Sequence, residues 1–228
     1  MSRHVPEFAL VTGALLSLSL LVSSLVLTGD VLRTTLVAVL LGYPFAAYAV
    51  VHDEKPTNVL PPMAVLALGA LVGLVLLAEA TLGGVRTTTP LAGFTFGVLL
   101  ALVAFLPPLV YYLRYGTAVN PLSPTRTAFG CLGVAVGLLA VGFFADTALY
   151  ATADALLVSL TGALYAARRG ALPSPSTRRL CVLGGVAAGV CLLAVGSALG
   201  VALDEWVVVA AALMFGPSAY YALTVEYV

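Results

Sequence analysis

Lysine is all but missing from this chain: Lys55 stands alone beside nine arginines. Charged residues make up only 9% of the sequence, ten basic against ten acidic, where a soluble domain carries about 25%. So little charge cannot coat a water-soluble body of 228 residues. No basic run or stripe occurs, so nothing offers nucleic acid an electrostatic footprint.

Histidine is equally scarce. His4 and His52 both lie outside the apolar runs, which argues against a haem held between two helical histidines. No lysine sits inside an apolar run, so a retinal Schiff base is excluded. The sequence contains no HExxH, no GxSxG and no Walker motif, the patterns that would point to a zinc hydrolase, a serine hydrolase or a nucleotide site. Cys131, Cys181 and Cys191 fall in apolar runs without a CxxC and are read as small packing residues. No run carries an ionisable residue at its midpoint, so a buried proton relay is not expected. The expectation is a protein that is not an enzyme and holds no cofactor or metal.

What is abundant is apolar surface. Hydrophobic residues make up 61% of the chain, and its mean hydropathy is +1.11. A helix needs roughly 20 apolar residues to cross the hydrocarbon core. Eight runs qualify, at about 8–28, 31–51, 61–80, 91–113, 127–145, 148–167, 180–202 and 206–225. They are long and lack alternation, which reads as helix, and a spanning backbone must satisfy its own hydrogen bonds. The first run is long enough to span and is read as a retained helix, not a cleaved signal.

Counting basic residues sets the orientation. Arg3, Lys55, Arg114, Arg126, Arg168, Arg169, Arg178 and Arg179 share the side of the N-terminus, and only Arg33 and Arg86 face the other. That places both termini in the cytoplasm and the chain in the cell (plasma) membrane. Nine of the ten tyrosines gather at the ends of the even-numbered runs, where amphipathic rings mark the headgroup level.

One phrase recurs. Pro44 is followed by Tyr48, Pro107 by Tyr111 and Pro217 by Tyr221, while in the sixth run Thr161 takes the proline's place ahead of Tyr165. The intervals are 63, 54 and 56 residues, the first lengthened by an outer loop at 81–90. "GLLAVG" at 137–142 returns as "CLLAVG" at 191–196, and "SPTR" at 123–126 as "SPSTRR" at 174–179. The fold class expected is therefore an all-α integral membrane protein of eight transmembrane helices. It forms a single domain of four tandem helical hairpins, at about 1–55, 56–118, 119–173 and 174–228, related by an axis along the membrane normal.

A proline withholds the N–H that the carbonyl four residues earlier needs. The carbonyls freed belong to Leu40, Val103 and Leu213. Each proline–tyrosine pair is either a hinge or ligand-facing notch, or a packing kink beside an interfacial aromatic, with the tyrosine lying over the proline ring. Glycines at spacing four in the odd runs, among them Gly133 and Gly137 and Gly185 and Gly189, predict an inner ring of closely packed odd helices.

Three polar features complete the reading. Asp154 lies some six residues into the sixth run, with Asp146 and Tyr150 at spacing four. It is either an outward-facing cation or substrate site, or an interfacial residue of a helix that starts later. Glu79 and Arg86 flank the outer loop and are placed to pair. His52, Asp53 and Glu54 are adjacent and cannot converge on a metal, so they read as a solvated turn.

Three roles compete. The first is a non-enzymatic component of a membrane complex (a subunit, assembly factor or scaffold) with membrane lipids and other membrane subunits as partners. The second is a transporter or channel for an uncharged or lipidic molecule, its polar lining limited to hydroxyls such as Thr95, Ser159 and Thr161. The third, a lipid-modifying enzyme working at an interface, has no residue pattern in its favour.

Overall fold

The computed structural model describes residues 5–117, 120–199 and 203–224. Arg3, His4 and Tyr227, and the side chains of Asp204 and Glu205, lie outside this set. Among the described residues there is no strand, and eight helices are long and apolar enough to cross a membrane. They are α1 (Val5–Thr28), α2 (Val31–His52), α3 (Pro62–Arg86), α4 (Pro90–Tyr115), α5 (Pro124–Phe144), α6 (Ala148–Arg168), α7 (Pro175–Leu199) and α8 (Leu203–Thr224). The chain is a polytopic membrane protein. It divides into two units, Met1–Val119 and Asn120–Val228.

Local chemistry sets the helix ends. Asp30 caps α2, its carboxylate accepting the Arg33 N–H at 2.9 Å, and Ser123 caps α5 through the Arg126 N–H at 3.3 Å. Each satisfies a donor that the first turn leaves free. Proline opens α3, α4 and α5, where its missing N–H has no helical partner to lose. Gly29 ends α1 at φ 65°, in the left-handed region a glycine enters without strain.

The main departure from the expected helix limits is at α3. It runs on to Arg86, through Gly83 and Gly84, so the outer segment expected at 81–90 shrinks to the turn Thr87–Thr89. The glycines do not break the helix, and Gly84 brings it close to α4. A Cβ on Gly84 would lie 2.8 Å from the Gly93 Cα. The long interval between Pro44 and Pro107 therefore comes from longer helices. Glu79 and Arg86 both belong to α3 and join no ion pair among the described residues.

In the first unit α1 packs on α2 and α3 on α4, while α2 also touches α3 and α4. The core is Leu76, Leu100 and Ala104, flanked by Leu32, Leu36, Val39, Val72 and Phe96. In the second unit α5 packs on α6 and α7 on α8, and α6 meets α8. In the first unit α2 meets both α3 and α4, and in the second the even helices α6 and α8 meet, so the odd helices do not form an inner ring within either unit. The odd-helix glycines instead serve their own pair. Gly13 packs on Phe45, Gly69 on the Pro108 ring, Gly73 on Ala101, and Gly189 on Met214 and the Ala210 carbonyl. Gly133 and Gly137 have nothing within 4 Å. The cysteines divide likewise. Cys131 is half-buried against Gly162, whereas Cys181 and Cys191 are exposed on α7.

Candidate functional site

The prolines explain much of the packing, through a different contact from the one expected. Pro107 is exposed and its neighbour Pro108 is buried. Pro108 frees the carbonyl of Ala104, four residues earlier. Tyr43 of α2 donates its hydroxyl to that carbonyl, so one helix supplies the hydrogen bond another has lost. Pro217 frees the carbonyl of Leu213, and Gly185 of α7 closes directly on that oxygen, with the Pro217 ring at 3.0 Å from where its Cβ would stand. Pro44 is exposed, and the next residue, Phe45, carries the contact to Gly13.

The tyrosines turn toward the ends of their helices and toward the neighbouring chain. Tyr48 stacks on His52 with ring centres 4.1 Å apart. Tyr111 is buried and donates to the Leu60 carbonyl at 2.7 Å, tying α4 to the segment ahead of α3. The Tyr165 hydroxyl accepts from Asn120 at 3.3 Å, and its ring lies beneath Arg169 at 5.8 Å. The Tyr221 hydroxyl accepts from the Arg179 Nε at 3.4 Å. These residues therefore lie at like positions in four helices and do not converge on one cavity in either unit.

Arg178 does more than mark a membrane side. It is 4% exposed, and its guanidinium donates to the Thr224 carbonyl at 2.9 Å and hydroxyl at 3.1 Å. It also lies 5.9 Å from the centre of the Tyr221 ring. A cation at the C-terminus of a helix meets the negative end of its dipole, so Arg178 of α7 closes the last turn of α8. Sequence reasoning counted this arginine as a loop charge, and only its step inside Pro175 hinted at a helical position.

An open groove of about 940 Å³ lies where α1 begins and α2 ends, lined among others by Glu7, His52, Asp53, Glu54 and Lys55. Its polar groups are largely engaged locally. His52 Nδ1 donates to the Tyr48 carbonyl at 2.9 Å, and Asp53 accepts the Lys55 N–H at 2.9 Å. Among the described residues no three His, Cys, Asp or Glu gather as metal ligands would. The hydroxyls expected to line a path also turn inward. Thr95 donates to Leu91 and Ala92, Ser159 to Leu156 and Thr161 to Leu157, all carbonyls of their own helices.

Asp154 is different. Helix α6 begins at Ala148, so Asp154 stands six residues beyond its start and the helix does not begin later. It has 0% exposure, and neither carboxyl oxygen has a hydrogen-bond partner. Asp146 is exposed in the turn ahead of the helix at φ 52°, so the two do not share a face. On α6 the neighbouring residues Ala151 and Ala155 are buried as well. Comparison with protein-family models, with characterised proteins and with solved structures finds no match for the chain.

Proposed function

We propose that the chain is a non-enzymatic component of a membrane assembly: a subunit, assembly factor or scaffold in the cell membrane. Both termini face the cytoplasm, and four tandem helical hairpins, at about 1–55, 56–118, 119–173 and 174–228, point the same way. The eight-to-two division of basic residues supports that orientation. The partners are membrane lipids and other membrane subunits.

The observation that carries the role is the outer face of α5. Gly130, Gly133 and Gly137 follow one another at spacings of three and four, all exposed, with nothing within 4 Å. Gly13 of α1, Gly69, Gly73 and Gly84 of α3, and Gly185 and Gly189 of α7 are by contrast used against a neighbouring helix of their own unit. An unused glycine weakens a helix by about 1 kcal/mol. Its benefit in a membrane is that another backbone can come close. We assign that backbone to a partner subunit.

The test is purification in mild detergent and in native lipid discs. Wild type elutes with a stoichiometric membrane partner. The double variant Gly133→Leu/Gly137→Leu elutes alone with its melting temperature unchanged. Wild type recovered as a lone species under all these conditions refutes the role.

A second reading, a carrier or channel for an uncharged or lipidic molecule, is favoured by the groove of about 320 Å³ between α3 and α4. Gly73, Leu77, Ala101 and Phe105 are among its lining residues, all of which are apolar. Lipid retained there in native mass spectra, and lost in Gly73→Leu, supports this reading; the same lipid content in both proteins removes it.

A further inference from the structure

Asp154 occupies a place where a carboxyl has no structural use. It stands seven residues ahead of Thr161, and the residues seven ahead of Pro107 and Pro217 are Leu100 and Ala210. Those two are buried packing residues of α4 and α8. Seven ahead of Pro44 stands Val37, which is exposed; the second unit therefore holds a carboxyl in a position that apolar residues fill in the other three hairpins. The comparison rests on the proposed register of the hairpins; the burial of Asp154 and its lack of a partner do not.

An ionised carboxylate in such a place pays a large desolvation penalty unless a cation or several donors compensate it. None is present among the described residues. Helix α6 packs on α5 and α8. On α5, Arg126 is exposed in the first turn, and Cys131 sits against Gly162, two turns beyond Asp154. On α8, Tyr220 and Tyr221 stand at the end closed by Arg178, and the side chains of Asp204 and Glu205 lie outside the described residues. On α6 itself, Tyr165 is engaged by Asn120, Arg168 is exposed in the last turn, and Tyr150 is not a hydrogen-bond partner of either carboxyl oxygen.

A metal cation does not fit. Hard cations take about six or more oxygen ligands. The other unpartnered oxygen of α6, the Thr152 hydroxyl, is two residues away and so points to another side of the helix. The remaining ligand of suitable size is a proton.

We propose that Asp154 is a proton-binding site inside the membrane, carrying its proton in the resting protein. This corrects the expectation, drawn from run midpoints, that no buried carboxyl is available for proton-linked work.

Infrared spectroscopy of the full chain in lipid vesicles at neutral pH tests it, with the aspartates carbon-13 labelled. Wild type shows the carbonyl stretch of a protonated aspartic acid, and the stretch shifts in heavy water. Asp154→Asn loses the band. Should Asp154→Asn fail to fold, Asp154→Leu, which copies Leu100, serves in its place and retains the wild-type melting temperature. Asp154→Glu, made with carbon-13 glutamate, regains a protonated band at a shifted frequency. A wild-type spectrum without the band overturns the proposal. So does a band that survives in Asp154→Asn or Asp154→Leu, or one that sodium removes at constant pH.

Discussion

Replacing Gly189 by alanine tests the packing at a single atom. The new Cβ meets Met214 Cγ at 2.5 Å and Sδ at 3.1 Å, and the Ala210 carbonyl oxygen at 2.8 Å. Methionine can swing away. The carbonyl belongs to the backbone of α8 and cannot move alone. Restoring an ordinary contact, 3.4 Å or more, forces α7 and α8 apart along this stretch. Overpacking of this kind costs about 1–3 kcal/mol. The opposing gain from helix propensity is at most about 1 kcal/mol. It is smaller in lipid, where separated helices keep their backbone hydrogen bonds. Gly189→Ala should therefore destabilise by about 1–2 kcal/mol and Gly189→Leu by about 3 kcal/mol. Gly137→Ala meets nothing within 4 Å and should be neutral or stabilise by up to about 1 kcal/mol.

The protein carries its own reporter. Trp206 is the only tryptophan, and its ring lies against Gly196 in the same helix pair, with Cγ 3.2 Å from where a Cβ on Gly196 would stand. Its fluorescence, followed through detergent-induced or thermal unfolding, reads the separation of α7 from α8. A Gly189→Ala protein as stable as wild type, or a Gly137→Ala protein weakened as much as Gly189→Ala, refutes the contact geometry.

Tyr43→Phe leaves the Ala104 carbonyl without a donor and should cost about 0.6–1.7 kcal/mol, the range for polar contacts between membrane helices. In a Pro108→Ala background residue 108 regains its N–H, so a double-mutant cycle of unfolding free energies should show the cost largely gone. Arg178→Met removes the donor to Thr224 and should cost about 1.5–3 kcal/mol, seen as faster hydrogen exchange in the last turn of α8. Because Arg178 is buried, that difference should persist at about 1 M salt, where exposed pairs are screened. Cysteines introduced at Arg114 and Arg168 should react from the same side with an impermeant maleimide; reaction from opposite sides ends the proposed common orientation.

The helices were legible because length and apolarity suffice to mark a span. Their limits were less so. Gly83 and Gly84 resemble a loop by composition, yet both lie in α3, where the missing side chain of Gly84 lets a second backbone come near. Partner choice was not legible either, since a glycine stripe shows where a helix is thin and not which neighbour uses it. Gly137 and Gly189 each follow another glycine by four residues, and only Gly189 meets a neighbour. The role of Tyr43 is not legible because the repeat aligns Pro107, whereas the contact depends on Pro108. The double proline frees two successive carbonyls, and the second, at Ala104, is the one a tyrosine reaches. Asp154 was seen, but its burial depends on α6 starting at Ala148, a boundary that apolar content alone does not fix.

The proline–tyrosine phrase and the glycines belong to one arrangement. Gly13 meets Phe45, Gly69 meets Pro108, and Gly185 meets Pro217 and the Leu213 carbonyl. In each case a small residue of the odd helix lies against the proline region of the even one. The pair α5–α6 keeps the contact but exchanges its sides. Gly162, beside Thr161, is now on the even helix, and Cys131 of the odd helix fills the space. Where the even helix has a proline, the odd helix must be thin; where it does not, the glycine can move across. The same pair carries Asp154. It is the one pair in which a proline does not fix the even helix, and so the one in which a buried carboxyl is least constrained by a rigid kink. A proline placed at Thr161, with Cys131→Gly to receive it, should therefore stiffen α6 and slow hydrogen–deuterium exchange at the Asp154 carboxyl. An unchanged exchange rate in a folded variant would separate the kink from the proton site.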